Sequence, residues 1–443
     1  MKLYAPWEKA FKKVATPFEH FLHAQTTTSI VLFFMTILAL VLANSPLNEL
    51  YNHILHTKID LHIGDWSITH SVNHWINDAL MAIFFFMVGL EIKREVLVGE
   101  LSSIKLAILP ILAAIGGMVL PALIYTFFNY GGDGQCGWGI PMATDIAFAI
   151  GALMLLGNRI STALVTFLVA LAIVDDLGAV MVIAIFYTEQ IDVVYLMLSG
   201  FAFSILVVFN RFGIHTILPY FVVGVIMWFF MLESGVHATI AGVIAAMAIP
   251  SKPKYTPVDF TAHSKNLFDE FDNYPVTTDN QMHENQKAIL QHIKDNIDSI
   301  RSPSSRLENS LHLPVGLIVI PLFALANAGV SIDFSSIGET IMEPVSLGVI
   351  AGLILGKVLG IAGVSYLAIK FNIAKLPEGS TMSQVVGVAF LGGIGFTMSI
   401  FVADLAFLGN PELIFQAKVG ILLASLISGL IGFFWLKLST ENP

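Results

Sequence analysis

The chain has 443 residues, of which 56% are hydrophobic and only 12% charged, with a formal net charge of −10 and a single cysteine. That balance excludes a soluble globular enzyme and describes a polytopic membrane protein, with its charges gathered in loops. Cys136 alone can form no intramolecular disulfide and no metal cluster, and no feature calls for a cofactor or a nucleic-acid partner.

The N-terminus carries Lys2, Lys9, Lys12 and Lys13 together with Trp7, Phe18 and Phe21. It is too long and aromatic for a cleaved signal, so residues 1–26 read as a cytoplasmic amphipathic segment before a retained first span. Apolar windows of spanning length follow at about 27–45, 74–92, 104–128, 137–157, 164–186, 193–210, 214–232, 235–250, 313–332, 345–369, 383–407 and 413–436. The expected order is spans 1–8 over 27–250, an inside loop over 251–312, then spans 9–12 and a short cytoplasmic tail over 313–443. With both termini cytoplasmic, 19 of the 22 Lys and Arg residues lie inside, Lys58 alone lies outside, and Lys357 and Lys418 fall within spans. That asymmetry obeys the positive-inside rule and supports twelve spans.

In the first outside loop, KIDLHIGDWSIT alternates Ile59, Leu61 and Ile63 with polar residues up to Gly64-Asp65. Strand, two-residue turn and strand predict a β-hairpin over about 58–69. Its edge could pair with a second copy, giving a homodimer, or lie on its own chain. In the inside loop Ile289, Ile293, Ile297 and Ile300, with Leu290, predict one amphipathic helix resting on protein or membrane.

Few ionisable residues lie deep in the spans: Asp145, the adjacent pair Asp175 and Asp176, and Lys357. Asp78 and Glu91 belong to span 2, and Asp404 stands toward the outer end of span 11. From Leu164 to Phe186 everything except Thr166 and the two aspartates is apolar or small, with Asp175 at the middle. Each carboxylate at mid-depth costs about 2.5–3.5 kcal/mol even on the mildest insertion scale, so a visiting cation is the natural reason to keep two. Lys357, in GLILGKVLGIAG, is the counter-charge, and its glycine neighbours permit close helix approach. One lysine cannot satisfy two aspartates and Asp145, which leaves room for a mobile cation.

Pro141 in IPMATDIAFAIG predicts a break in span 4, after which Thr144 and Asp145 read as the cap and first acidic residue of a restarted half-helix. FLGGIGFTMS interrupts span 11 in a matching way: Gly392, Gly393 and Gly395 weaken the helix, and Thr397 and Ser399 can satisfy freed backbone groups. Seven spans separate the breaks, so the two helices run in opposite directions, and spans 3–5 and 10–12 read as an inverted repeat. The fold class is therefore an all-α polytopic membrane protein with twelve spans, inverted repeats, two interrupted helices crossing at mid-membrane and a small extracytoplasmic β-hairpin. On this reading Asp145 offsets the N-terminal ends at the crossing, and Lys357 the C-terminal ends as well as an aspartate.

The motifs TDIAFAIGAL at 144–153, LAIVDDLGAV at 171–180, SGVHATIAGV at 234–243, PLFALANAGVS at 321–331, LGKVLGI at 355–361, GIGFTMSIF at 393–401 and WINDALMAIFFFMVGLEIKREVL at 75–97 resemble the NhaA family of bacterial Na⁺/H⁺ antiporters. The resemblance implies an inner-membrane exchanger that admits protons and expels Na⁺ or Li⁺, serving sodium and pH homeostasis. It makes Asp175 and Asp176 the cation and proton site, with Asp176 the stronger candidate for direct ligation. It makes Asp145 and Lys357 the charge-compensating positions, with Thr144 beside the break. It also places pH regulation at the cytoplasmic face, where Glu91, Lys93, Arg94 and Glu95 end span 2 and Glu308 and His312 precede span 9. Asn309 stands where the family would place a second histidine, and the preceding loop is longer than in familiar members.

Ion and proton would then compete for the same oxygens, and rocking of one helical bundle against the other would expose the site to each side in turn. More than one proton per Na⁺ makes the exchange electrogenic. An intramembrane aspartyl protease needs its aspartates on separate helices, and a solute symporter needs spare polarity for a substrate pocket. Here the paired aspartates are sequence neighbours facing different angles, outside any protease motif, and the spans show little spare polarity.

Overall fold

The computed structural model describes residues 25–63, 66–188, 191–274, 282, 284–331 and 337–441. The N-terminal amphipathic segment, up to residue 24, and the Gly64-Asp65 turn lie outside the described residues. Helix α1 (Gln25–Ala43) is followed by α2 (Asn48–His56), a short helix absent from the sequence reading. Strands β1 (Lys58–Ile63) and β2 (Trp66–Ser71) pair antiparallel, from Lys58 opposite Ser71 to Ile63 opposite Trp66. That register leaves two residues between the strands, as the alternation predicts.

Helix α3 (Val72–Leu97) contains a π turn at Ile76–Leu80, and α4 is Ile104–Asn129. Span 4 begins as a 3₁₀ helix, Asp133–Met142, and restarts as α5, Ile146–Met154. Then come α6 (Thr162–Phe186), α7 (Val193–Arg211), α8 (Ile217–Glu233) and α9 (Ala238–Ala248). The long loop holds α10 (Pro257–Asp272) and α11 (Glu284–Ser299). The last membrane section is α12 (Pro303–Asn327), α13 (Ile337–Met342), α14 (Pro344–Lys370), α15 (Met382–Leu391), α16 (Phe396–Ala406) and α17 (Pro411–Glu441).

Among the described residues, eight helices are long and apolar enough to cross a membrane, or ten if the bent pairs α1–α2 (111°) and α15–α16 (48°) each make one span. The twelve windows read from the sequence include α8 and α9, which are apolar but shorter than that length. Large apolar side chains stay exposed along the helices, Phe127 at 81% and Phe201 at 66% among them. Water would penalise that surface, and lipid does not.

The chain forms two compact units. The larger takes the described residues of Met1–Phe84, Glu95–Gln190 and Leu313–Pro443, and includes both broken helices. In it α4 crosses α14 backbone to backbone: a Cβ on Gly116 would strike the Gly360 carbonyl, and one on Gly360 would strike the Gly116 carbonyl. Only glycine allows that approach at both positions.

The smaller unit, Phe85–Arg94 with Ile191–His312, packs around Leu90, Leu206, Met227 and Ala246. A Cβ on Gly89 would come within 2.8 Å of the Ala246 side chain, so α3 needs glycine there. Its long loop differs from expectation. Instead of one amphipathic helix there are two among the described residues, and α12 begins at Pro303, ten residues before the predicted span. In α11, Ile289 and Ile293 are buried while Ile297 is exposed. Helix α10 starts with a capping box in which the Thr256 side chain and the Asp259 side chain each accept the other's backbone N–H, with Pro257 at the first helical position. The hydroxyl and backbone donors of Thr256 hold the Asp259 carboxyl below its ordinary 3.8.

Candidate functional site

The two breaks meet in the larger unit and are tied together through backbone and side chains. Asp145 N–H donates to the Ile394 carbonyl at 2.6 Å. Asp145 is the N-cap of α5: its Oδ1 accepts from Phe148 N–H at 3.1 Å. Its other oxygen accepts from Thr397 N–H at 3.1 Å, in the first turn of α16, and from the Thr397 hydroxyl. One carboxylate therefore serves the N-termini of two half-helices, where the partial positive charge of unsatisfied N–H groups is concentrated. The cap is Asp145 and not Thr144, one residue later than the sequence reading has it.

The opposite ends are also satisfied. The Ser399 hydroxyl donates to the Ile140 carbonyl at 2.8 Å, at the end of the 3₁₀ half of span 4. The Thr144 hydroxyl lies 2.8 Å from the Gly392 carbonyl, at the end of α15, and 2.7 Å from Asp175 Oδ2. One hydroxyl hydrogen thus links the break to the aspartate on α6. Ser425 of α17 accepts from Phe396 N–H, the first of α16, at 3.1 Å. The sequence reading did not single out Ser425. Its signal was the repeat: it stands 250 residues after Asp175, the interval that also separates Phe396 from Ile146.

Asp175, Asp176, Asp145, Thr144 and Lys357 are all buried, none more than 2% exposed. Lys357 Nζ forms an ion pair with Asp175 Oδ2, so of the two roles foreseen for Lys357 the structure displays the aspartate partner, while Thr144 meets the C-terminal carbonyl of α15. Asp175 Oδ1 has no hydrogen-bonding partner among the described residues. Asp176, the next residue on α6, lies about 100° around the helix, so the two carboxylates leave the axis in different directions. Two buried carboxylates against one ammonium leave a net negative charge that a small cation or a proton would neutralise, and oxygen donors suit a hard alkali cation.

The residues expected to sense pH divide between the units. In the smaller unit Arg94 donates to Glu308 at 2.6 Å, with the Glu308 side chain 9% exposed, and Glu91 is half-buried on α3. His312 follows Glu308 by one helical turn on α12. Lys93 donates to the Met247 carbonyl at 2.7 Å and also to that of Ile249, a cation at the C-terminal end of α9. Glu95 belongs to the larger unit, where it accepts from Glu100 N–H at 3.0 Å and borders a cleft of about 580 Å³ with Glu100, Thr166 and Ala170. Arg94 and Glu308 are thus a pair, and Glu95 has a separate setting.

A family profile described as Na⁺/H⁺ antiporter 1 matches residues 19–436. The chain is 70% identical, over the whole of both sequences, to the Na⁺/H⁺ antiporter NhaA of Sulfurimonas denitrificans. It is 49% identical to Na⁺/H⁺ antiporter NhaA 1 of Saccharophagus degradans and 46% identical to the Na⁺/H⁺ antiporter NhaA of Dichelobacter nodosus, with 98% of this chain and 94% of each relative covered. The profile match and these full-length identities carry the same conclusion as the motifs around the two breaks: the chain belongs to the Na⁺/H⁺ antiporter 1 family.

Proposed function

We propose that the protein exchanges Na⁺ for H⁺ across the bacterial inner membrane, expelling Na⁺ or Li⁺ as protons enter, with Asp175 and Asp176 as the site for both. The observation that carries this reading is the buried pair on α6, with Asp175 held by Lys357 and Thr144 at the crossing of two broken helices. Burial with a single ammonium makes the site costly when empty of both cation and proton, so one replaces the other. A state that is loaded either way can turn between the two faces of the membrane, and a bare anionic site cannot do so cheaply.

Twelve spans with both termini cytoplasmic are supported by the ten long or bent spans, the two shorter apolar helices α8 and α9, and the distribution of Lys and Arg. The inverted repeat is supported by the equal interval from Ile146 to Phe396 and from Asp175 to Ser425. Glu91, Arg94, Glu95, Glu308 and His312 are the residues through which cytoplasmic pH adjusts the rate. The β1–β2 hairpin is the surface for a homodimer.

Asp176→Asn in reconstituted vesicles should abolish Na⁺-dependent proton release while the protein still inserts and purifies normally. Exchange retained at more than about a tenth of the normal rate, which is 1.4 kcal/mol of lost function, would remove Asp176 from the site.

A further inference from the structure

We propose that Asp404 and Lys418 latch the outer side of the exchanger, and that the outward route opens when this ion pair separates. The proposal rests on the antiport reading above for which side is outer and for the repeat. Lys418 Nζ lies 3.0 Å from Asp404 Oδ1, with the two side chains 15% and 18% exposed. Asp404 stands in the last turn of α16, where the helix's own carbonyls disfavour an anion. The carboxylate is therefore held against both desolvation and the helix dipole, and Lys418 is what holds it.

Helix α17 also grips the other end of α16. Ser425, two turns beyond Lys418 and on the same face, accepts from Phe396 N–H. The half-helix that starts at the crossing is thus pinned to α17 at both ends. Any movement of α16 that exposes the crossing outward must release the pin that lies farther out.

The closure is one-sided. Around Lys418, α17 packs directly on the start of α14: the Ser346 hydroxyl donates to the Gln416 carbonyl at 2.7 Å, and a Cβ on Gly420 would lie 3.0 Å from the Ser346 carbonyl. In the inverted repeat, 250 residues earlier, Thr166, Leu168 and Ala170 of α6 occupy the places of Gln416, Lys418 and Gly420, and Met154 occupies that of Asp404. There Thr166 and Ala170 face the start of α4 across the cleft of about 580 Å³, which Leu106 lines from the far side. The half with apolar Met154 and Leu168 at these places borders a cleft, and the half with Asp404 and Lys418 is packed shut.

The test uses full-length protein in inside-out vesicles, with Cys136→Ser as background and Asp404→Cys and Lys418→Cys combined. Bridging the two thiols with a short bifunctional thiosulfonate should lower Na⁺-driven proton flux about tenfold or more, and reduction should restore it, because a fixed latch leaves only the inward state. Full flux through protein shown by mass spectrometry to be bridged would overturn the latch. A second measurement covers the case in which the cysteine pair is inactive before bridging. Asp404→Asn should raise the KM for Na⁺ about three- to tenfold with kcat within about twofold, since a weakened latch depopulates the inward state. Exchanging the charges, Asp404→Lys with Lys418→Asp, should return KM toward normal. An unchanged KM in Asp404→Asn, or no rescue by the exchange, would also overturn it. Failure of the antiport reading itself looks different: the unaltered protein would show no Na⁺-driven proton flux.

Discussion

Asp145 carries two hydrogen-bonded oxygens, one on each of two half-helices whose first residues, Ile146 and Phe396, lie 250 positions apart. Truncating it leaves two helix N-termini without an acceptor in a place water cannot easily reach, and each lost cap costs about 0.5–2 kcal/mol. Asparagine keeps one carbonyl oxygen but turns an amide donor toward the other N–H, so it can serve one helix and not both. Thermal unfolding in detergent should therefore rank the intact protein above Asp145→Asn and Asp145→Asn above Asp145→Ala, and equal midpoints for the two variants would contradict the double-cap reading. At this scale the sequence disclosed much. Charges in apolar spans announce themselves by their cost, so Asp145, Asp175, Asp176 and Lys357 were all legible. Their partners were less so, because Thr397 is 252 residues from Asp145 and spacing along a chain carries no distance. The one-residue shift of the cap from Thr144 to Asp145 has the same origin, since either residue type can cap a helix and only the fold decides which does.

Among the elements, α14 shows how local irregularity surrounds the site. Two π turns, Gly352–Gly356 and Leu359–Gly363, flank Lys357. Such turns are rare and recur at functional sites. The glycines in them are not equivalent. A Cβ at Gly360 would meet the Gly116 carbonyl and one at Gly356 the Pro121 backbone at 2.7 Å, whereas Gly363 has nothing within 4 Å. Gly360→Ala should then lower stability by about 1–3 kcal/mol through overpacking. Gly363→Ala should be neutral or raise it by up to about 1 kcal/mol through helix propensity. Unfolding midpoints for the two variants that move together would refute this assignment. No periodicity announces a π turn or the 3₁₀ start of span 4, because both are imposed by what packs against them. Helix α10 is a different omission: Thr256, Pro257 and Asp259 spell a helix start in the sequence itself, but the isoleucine stripe of α11 was the stronger periodic signal in that loop.

For the molecule as a whole, the proposed orientation, with 19 of 22 Lys and Arg inside, sets the exchanger in an inside-negative potential that would draw net positive charge inward. The buried centre supplies the charges. With Asp175 and Asp176 ionised and Lys357 protonated it is one charge negative, so a single proton or a single Na⁺ would neutralise it. A second proton per Na⁺ would enter if cation binding released a proton from each of two groups in this centre. Each cycle would then carry one net positive charge inward. At 100 mV that charge is worth about 2.3 kcal/mol, enough to hold a Na⁺ gradient of about fifty-fold with equal pH on both sides, where a one-for-one exchange holds none. In proteoliposomes with an inside-negative potassium diffusion potential, the initial rate of Na⁺ efflux should rise with the potential. With the potential collapsed and pH equal on both sides, concentrative movement should stop. An efflux rate indifferent to the imposed potential would mean that the exchange is electroneutral.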